Sequence, residues 1–212
     1  MASSPARAMK VGRPRSDAKR RAILAGATAA FMEHGFGDTT MDRVVALSGV
    51  SKMTVYRYFK NKEELFAGVI ADTCDRIVDD DLAALMVDRP PVEALYAFGR
   101  RMLAIIFSDE AIALHRIVVA ESKRFPQLGV LFFEGGPQGS IRVLADYLMR
   151  HARHPDLRID DPWRAAEEFL EILRGYTHLR LLLGIKPKPS AAELDERVER
   201  AVNHLLAVGR RR

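Results

Sequence analysis

A single cysteine, Cys74, in 212 residues rules out an internal disulfide framework and fits a reducing compartment. No catalytic signature surrounds it, and a small core residue is the expected role. Apolar runs are short: none reaches the eighteen or so residues that span a bilayer. The amino terminus is basic but has no apolar stretch behind it, so a secretory signal is not expected. Strand-like alternation, βαβ spacing and internal repeats are missing throughout. So are a P-loop, a dinucleotide fingerprint and any Ser/His/Asp order, which leaves little room for an enzyme. His151 and His154 stand at metal-ligand spacing, but no third ligand follows, so no metal or cofactor is expected. Glu167, Glu168 and Glu171 read as a solvated helix face. These absences describe a membrane-free, cytoplasmic, all-α protein.

What is present is unevenly charged. The net charge is +5. Residues 1–60 carry eleven Lys and Arg against four Asp and Glu, whereas residues 61–212 carry 22 against 24. A basic head on a mildly acidic body suits a phosphate-binding module joined to one that binds a small molecule or a protein. A membrane-surface head would need an outward apolar face, and here the apolar positions serve the head's own core.

The stretch TTMDRVVALSGVSKMTVYRYF, residues 39–59, organises the head. Thr39 and Asp42 form a T-x-x-D helix start. Gly49 is placed to end that helix in the left-handed conformation, and Ser51 to cap a second one from Lys52 to about Tyr58. Two short helices across a tight glycine turn make a helix-turn-helix, whose second helix enters the major groove of DNA. Val55 and Phe59 would anchor that helix inward. Lys52, Met53, Thr54, Tyr56 and Arg57 would face outward, as base-reading groups do. A surface hairpin without function is the bland alternative. Before this motif, Ser16 is expected to cap a helix reaching about Glu33, with Ile23, Ala27, Ala30 and Phe31 as its apolar stripe. Residues 1–15 read as a disordered basic arm. Arg13 and Arg15, held extended by Pro14, either enter a minor groove or merely add solubility. After Phe59, Asn61 and Glu64 repeat the capping pattern, starting a connecting helix over residues 62–86. Lys60 and Lys62 at its start would clamp phosphate together with backbone N–H groups.

The segment Ala22–Leu65 resembles the DNA-binding domain of TetR-family transcriptional regulators. The likeness rests on Phe31-Met32-Glu33-His34-Gly35-Phe36, Thr39-Thr40-Met41, Val45-Ala46, Gly49-Val50-Ser51, Tyr56-Arg57-Tyr58-Phe59 and Asn61-Lys62-Glu63-Glu64-Leu65. Ser48 stands where alanine is usual and Met53 where glycine is frequent, so operator preference does not transfer. The resemblance implies a three-helix head over residues 16–61 and a helical ligand-binding and dimerisation domain over residues 62–212. It also implies double-stranded DNA with a palindromic operator as partner, and phosphate contacts from Thr40, Ser51, Tyr58, Lys60 and Lys62.

From Pro91 onward the pattern is helical, broken at Phe125-Pro126, at Gly135-Gly136-Pro137, over residues 152–161 and at Lys186-Pro187-Lys188-Pro189. Phe98, Met102, Phe107, Val118, Phe125, Phe132, Phe133, Phe169, Leu173 and Tyr176 offer more apolar surface than a simple bundle needs. They would line a pocket for a small organic effector, with His115, Glu121 and Arg174 as its polar groups. Tight core packing is the alternative for each of them singly. Residues 110–184, with AESKRFPQL and FFEGGP, resemble AcrR/AefR-like members of the same family. Leu170, Leu179, Leu182, Leu194, Val198, Val202 and Leu205 cover broad faces of the last two helices. These faces would either build a homodimer through a four-helix bundle or close the protomer's own core. The resulting expectation is a homodimeric repressor released from its operator by a hydrophobic or amphipathic ligand. A DNA-binding protein of this fold without an effector is the alternative, and an all-α enzyme a remote one.

Overall fold

A computed structural model describes residues 14–77, 80–152, 154–155, 157, 159–185 and 187–210. Eleven helices and no strand occur among them. The chain divides into two compact units, Met1–Val69 and Ile70–Arg212.

In the first unit, α1 spans Pro14–Asp38. It starts two residues before Ser16, because proline is well suited to a first helical turn. Pro14 and Arg15 are therefore helical rather than part of an extended arm, and Arg13 lies outside the described residues. Ile23, Ala27, Ala30 and Phe31 are buried as their spacing requires. At Gly35 the backbone turns left-handed (φ 72°, ψ 178°), which breaks α1 and swings Phe36 inward. Phe31, Phe36 and Phe66 then form an aromatic cluster with ring centroids 4.8–5.8 Å apart.

The helix start after this turn differs from expectation by one residue. Thr39 is buried, and its hydroxyl donates to the carbonyls of Ala30 and Gly35 at 3.0 and 2.7 Å. It ties off carbonyls left free where α1 breaks. Thr40 instead caps α2 (Met41–Ser48), accepting from the Arg43 N–H at 3.2 Å. α2 ends at Gly49 in the left-handed conformation (φ 64°). Ser48 supports this turn: its hydroxyl donates to the Val45 carbonyl and accepts from the Val50 N–H. Opposite lies Gly26, where an added Cβ would fall 2.8 Å from the Ser48 nitrogen. α1 and α2 thus touch backbone to backbone. α3 (Lys52–Tyr58) follows, with Val55 and Phe59 buried.

α4 (Lys62–Ile77) gives its first half to the first unit and its second half to the other. The expected single helix over residues 62–86 is two: α4 ends at Ile77, and α5 spans Asp80–Ala84. In the second unit α6 (Pro91–Ile106), α7 (Asp109–Glu121), α8 (Pro126–Gly135), α9 (Pro137–His151), α10 (Pro162–Leu182) and α11 (Ala191–Arg210) follow. Four of these six begin with proline, and Ser108 and Asp161 cap α7 and α10 through their side chains.

The core of this unit contains Leu95, Phe98, Tyr147, Phe169 and Leu173, together with Val198, Val202 and Leu205. The last three were assigned to a dimer interface. They are instead sealed inside the protomer, because Gly99 on α6 carries no side chain to hold α11 away. An added Cβ at Gly99 would meet Val198 at 2.9 Å. Leu194 packs partly buried on the same core. Within α10, Gly175 is non-helical (φ 45°, ψ −165°), a break that the sequence pattern does not announce. Arg197 of α11 reaches this break, donating to the Leu173 carbonyl at 3.4 Å and to the Thr177 hydroxyl. The residues after the break are rotated off the register of those before it. Tyr176 is 79% exposed and Leu179 48%, while Leu182 is half-buried.

Candidate nucleic-acid interface and body cavity

The outer face of α3 carries Met53, 80% exposed, with Lys52, Tyr56 and Arg57 also exposed. Met53 gains nothing from that position in folding, since its apolar tip stays in water. Such a face suits contact with base edges and thymine methyls. Thr54 departs from the expected outward set. It is only 7% exposed, and its hydroxyl lies 2.9 Å from that of Ser51. One turn before Tyr58 on a seven-residue helix, Thr54 shares Val55's inward side. Ser51 is exposed and precedes α3, but it makes no side-chain bond to the helix backbone.

Neighbouring charges shape this face. Lys52 pairs with Asp42 at 2.7 Å, which raises the Lys52 pKa through the hydrogen bond and the carboxylate charge. Both side chains are largely exposed, so the pair restrains a side chain more than it stabilises the fold. The Arg57 guanidinium lies 5.7 Å from the centre of the half-buried Tyr58 ring. Thr40 is exposed and Lys60 is exposed. The Lys60 N–H donates to Glu64 at 2.9 Å, and the Glu64 N–H donates to Asn61 at 2.7 Å, so α4 is capped by its own side chains.

Lys62 is a correction. Its ammonium donates to the carbonyls of Phe36 and Gly37 at 2.6 and 2.8 Å and sits 4.6 Å from the Phe36 ring centre. It closes the end of α1, where unpaired carbonyls attract a cation, rather than standing free for phosphate. Conversely, Lys19, Arg20 and Arg21 on α1 and Arg43 on α2 are exposed cations that a search confined to α3 passes over. The charge imbalance of the head was the signal that contained them.

In the second unit a cavity of about 80 Å³ lies between α4, α6, α7, α8, α9 and α10. Of the expected lining, Met102, Phe132, His115 and Arg174 are present. Phe98, Phe107, Val118, Phe169 and Leu173 are buried in the packed interior and do not line it. Phe133 and Tyr176 are exposed, at 54% and 79%; Glu121 and Phe125 are half-buried away from the lining. Leu170, assigned above to a dimer, faces the cavity instead. Thr73, Ile105, Ile106, Leu114, Ser140 and His178 complete much of the wall. His178 was missed, because it reaches the cavity from beyond the Gly175 break, which helical spacing from Arg174 does not foresee.

His115 and His178 lie 5.1 Å apart, centre to centre. Phe132 flanks the first at 5.1 Å and Phe107 stacks on the second at 6.3 Å. Burial, then the charges of His115 and Arg174, push the His178 pKa down to about 4. Burial and Arg174 likewise lower His115. Both rings are therefore neutral at pH 7. Arg174 pairs with the exposed Glu171 at 3.4 Å. A second, more polar crevice of about 450 Å³ shares Thr73, Ile105 and Ala111 with the cavity, and Arg76, Arg101 and Glu110 line it. There Arg76 bonds Glu110 at 2.6 Å and Asp72 at 3.3 Å.

The other chemistry-bearing residues are tied into the fold. Cys74 is buried, its thiol pushed up to about 11 by desolvation, and a Cβ added at Gly135 would fall 2.9 Å from the Cys74 Cβ. His151 bonds the Tyr147 carbonyl at 2.9 Å and stacks on that ring. Among the described residues, no three His, Cys, Asp or Glu side chains gather as a metal site, and no helix is long and apolar enough to cross a membrane.

A three-helix head with an exposed, cation-bearing third helix, followed by a helical body with an internal cavity, defines a helix-turn-helix DNA-binding regulator. Residues 23–69 match the tetR family of bacterial regulatory proteins, and residues 93–209 match the AefR-like transcriptional repressor C-terminal domain. The chain belongs to the TetR family of transcriptional regulators. It is similar to the transcriptional repressor Rv1474c of Mycobacterium tuberculosis, 26% identical over 88% of this chain and 94% of that one. Against the regulator YhgD of Bacillus subtilis it is 50% identical, but over 48 residues, 25% of that protein. A TetR-family regulator from Mesorhizobium loti superposes with a TM-score of 0.86 at 29% identity, over 92% of this chain and 98% of that one. The flavonoid-responsive regulator FrrA superposes at 0.70 with 33% identity, over 90% and 96%.

Proposed function

We propose that this regulator is a homodimeric repressor that leaves a palindromic operator when a small, largely apolar ligand occupies the body. The observation that carries the DNA half of this reading is the outer face of α3, where Met53, Lys52, Tyr56 and Arg57 stand in water without a packing role. These four residues read bases, while Thr40, Ser51, Tyr58 and Lys60 hold phosphates. Seven residues of helix reach few base pairs, so two copies on half-sites one helical turn apart supply the affinity and specificity.

The dimer face proposed here is not the one that the leucine pattern indicated. Tyr176, Leu179 and Leu183 lie at i, i+3 and i+7 on the carboxy-terminal part of α10 and just beyond it, at 79%, 48% and 63% exposure. A stripe of this kind needs a partner. For the ligand half, the cavity and the name of the flavonoid-responsive relative both favour a flat aromatic compound. A coupling of about 1–3 kcal/mol between cavity and operator already alters DNA affinity roughly five- to 150-fold.

The test is fluorescence anisotropy with a labelled palindromic duplex from upstream of the chain's own coding region, repeated with added flat aromatic compounds, flavonoids and aromatic acids among them. Saturable binding that one of these compounds reverses is expected. A chain that ignores every duplex at low ionic strength ends the DNA reading, and one that binds but never releases ends the ligand reading.

A further inference from the structure

The cavity wall is chemically one-sided. Met102, Ile106, Leu114, Phe132 and Leu170 make most of it apolar, and among the described residues no carboxylate lines it. Its ionisable groups are Arg174, His115 and His178. Arg174 is held by one long ion pair to Glu171, whose own side chain is 68% exposed while that of Arg174 is 27% exposed. A guanidinium withdrawn this far from water and this loosely paired is short of counter-charge. Its planar fork matches the two oxygens of a carboxylate. The rings of Phe132, His115 and His178 line it in series at 5.1 Å spacings, which suits a flat partner, and Phe107 backs His178 from the packed interior.

Resting on the reading that the body is an effector domain, we propose that its natural ligand class is the aromatic carboxylic acids, bound as anions by Arg174 with His115 and His178 as supporting donors. The anion brings a proton with it. Burial, His115 and Arg174 all act on His178 to keep it neutral, and none favours its charged form. The remaining charges around the site are committed elsewhere: Arg197 from α11 to Thr177 and the Leu173 carbonyl, and Arg76 from α4 to Asp72 and to Glu110 of α7. A carboxylate placed against the imidazoles reverses the balance and raises their pKa. Binding near neutral pH therefore takes up a proton, and affinity for the acid falls as pH rises from the free towards the liganded histidine pKa and levels off above it.

The experiment is calorimetric titration of the full chain with trans-cinnamate and with cinnamamide, its neutral counterpart of the same shape. Each is run at pH 6.5 in phosphate and in imidazole, buffers of different ionisation heat. The acid is expected to bind at least roughly ten times tighter than the amide, the difference between a charge-assisted and a neutral hydrogen bond. A heat that changes with buffer shows proton uptake. Arg174→Gln brings the acid down to the amide's affinity, and Arg174→Lys keeps part of the preference. His178→Gln reduces the proton uptake while leaving the acid preferred.

Equal affinity for the two compounds, or preference for the amide, overturns acid recognition while the ligand cavity stands. Failure of both to bind at millimolar concentration overturns the ligand class. Acid binding without a buffer-dependent heat removes the imidazoles from the proposal. Should Arg174→Gln not fold, the comparison of the two compounds on the natural chain still decides. Loss of operator binding by the ligand-free chain would end the regulator reading and would leave these outcomes unaffected.

Discussion

The two units place their candidate functional side chains on opposite sides of their cores. In the first, a compact aromatic core of Phe31, Phe36 and Phe66 holds α3 so that Met53, Lys52 and Arg57 point into water. In the second, His115, Arg174 and His178 line a partly open cavity between the helices. An outward site depends on which residues are left over after the core is built. An inward site depends on gaps in the core itself, and so on every packing contact around it.

That contrast can be broken from either end. The largest effect is expected from Phe66→Ala, which removes the centre of the aromatic cluster. It should cost about 3–5 kcal/mol and abolish operator binding. Ligand binding in the body should survive, as calorimetry with a ligand of the natural chain would show. Simultaneous loss of both activities would mean that the two units do not fold as separate cores. Arg57→Ala is next. It should weaken operator binding by about 1–3 kcal/mol, read by anisotropy, and leave the melting temperature unchanged.

In the body, a buried histidine should make stability depend on acid. His178 has its pKa lowered to about 4 in the folded chain against 6.5 unfolded. Between those values the unfolded chain binds more protons than the folded one, so stability falls as pH drops from about 7 towards 4. The share owed to His178 is on the order of 1–2 kcal/mol after allowing for its partial exposure. Chemical denaturation of His178→Gln at pH 7 and pH 4.5 should show a correspondingly flatter acid dependence.

Two lysines sharpen the comparison within the head. Lys60→Ala should lower the slope of log affinity against log salt by about one unit, whatever the duplex sequence. Lys62→Ala should leave that slope alone and instead cost about 1 kcal/mol of stability, because its ammonium holds the Phe36 and Gly37 carbonyls. Equal salt slopes for the two variants would return Lys62 to the DNA surface. The smallest effect is expected from Asp42→Asn, which frees Lys52. Operator affinity should rise roughly twofold with no change in melting temperature, since both partners are exposed.

The head was open to sequence reasoning because its signals are local. Gly49 ends α2, Ser51 precedes α3, and Val55 and Phe59 face in, all from spacings of a few residues. Its errors were also local: Thr39 gave its hydroxyl to the carbonyls at the α1 break, leaving Thr40 to cap. In the body, helix boundaries at proline and glycine were visible, but the faces were not. Val198 and Tyr176 are both large and apolar; one is sealed against Gly99 and the other stands in water. Only the break at Gly175 and the approach of α11 to α6 separate them.

By itself, then, the sequence determined an all-α chain with a basic helix-turn-helix head, because helix caps, breakers and the 3.6-residue period act over a few residues. The tertiary structure alone decided which apolar residues close the core, which surround a cavity and which remain exposed. Burial is a property of residues far apart in the chain, and a one-residue break such as Gly175 re-aims every side chain that follows it.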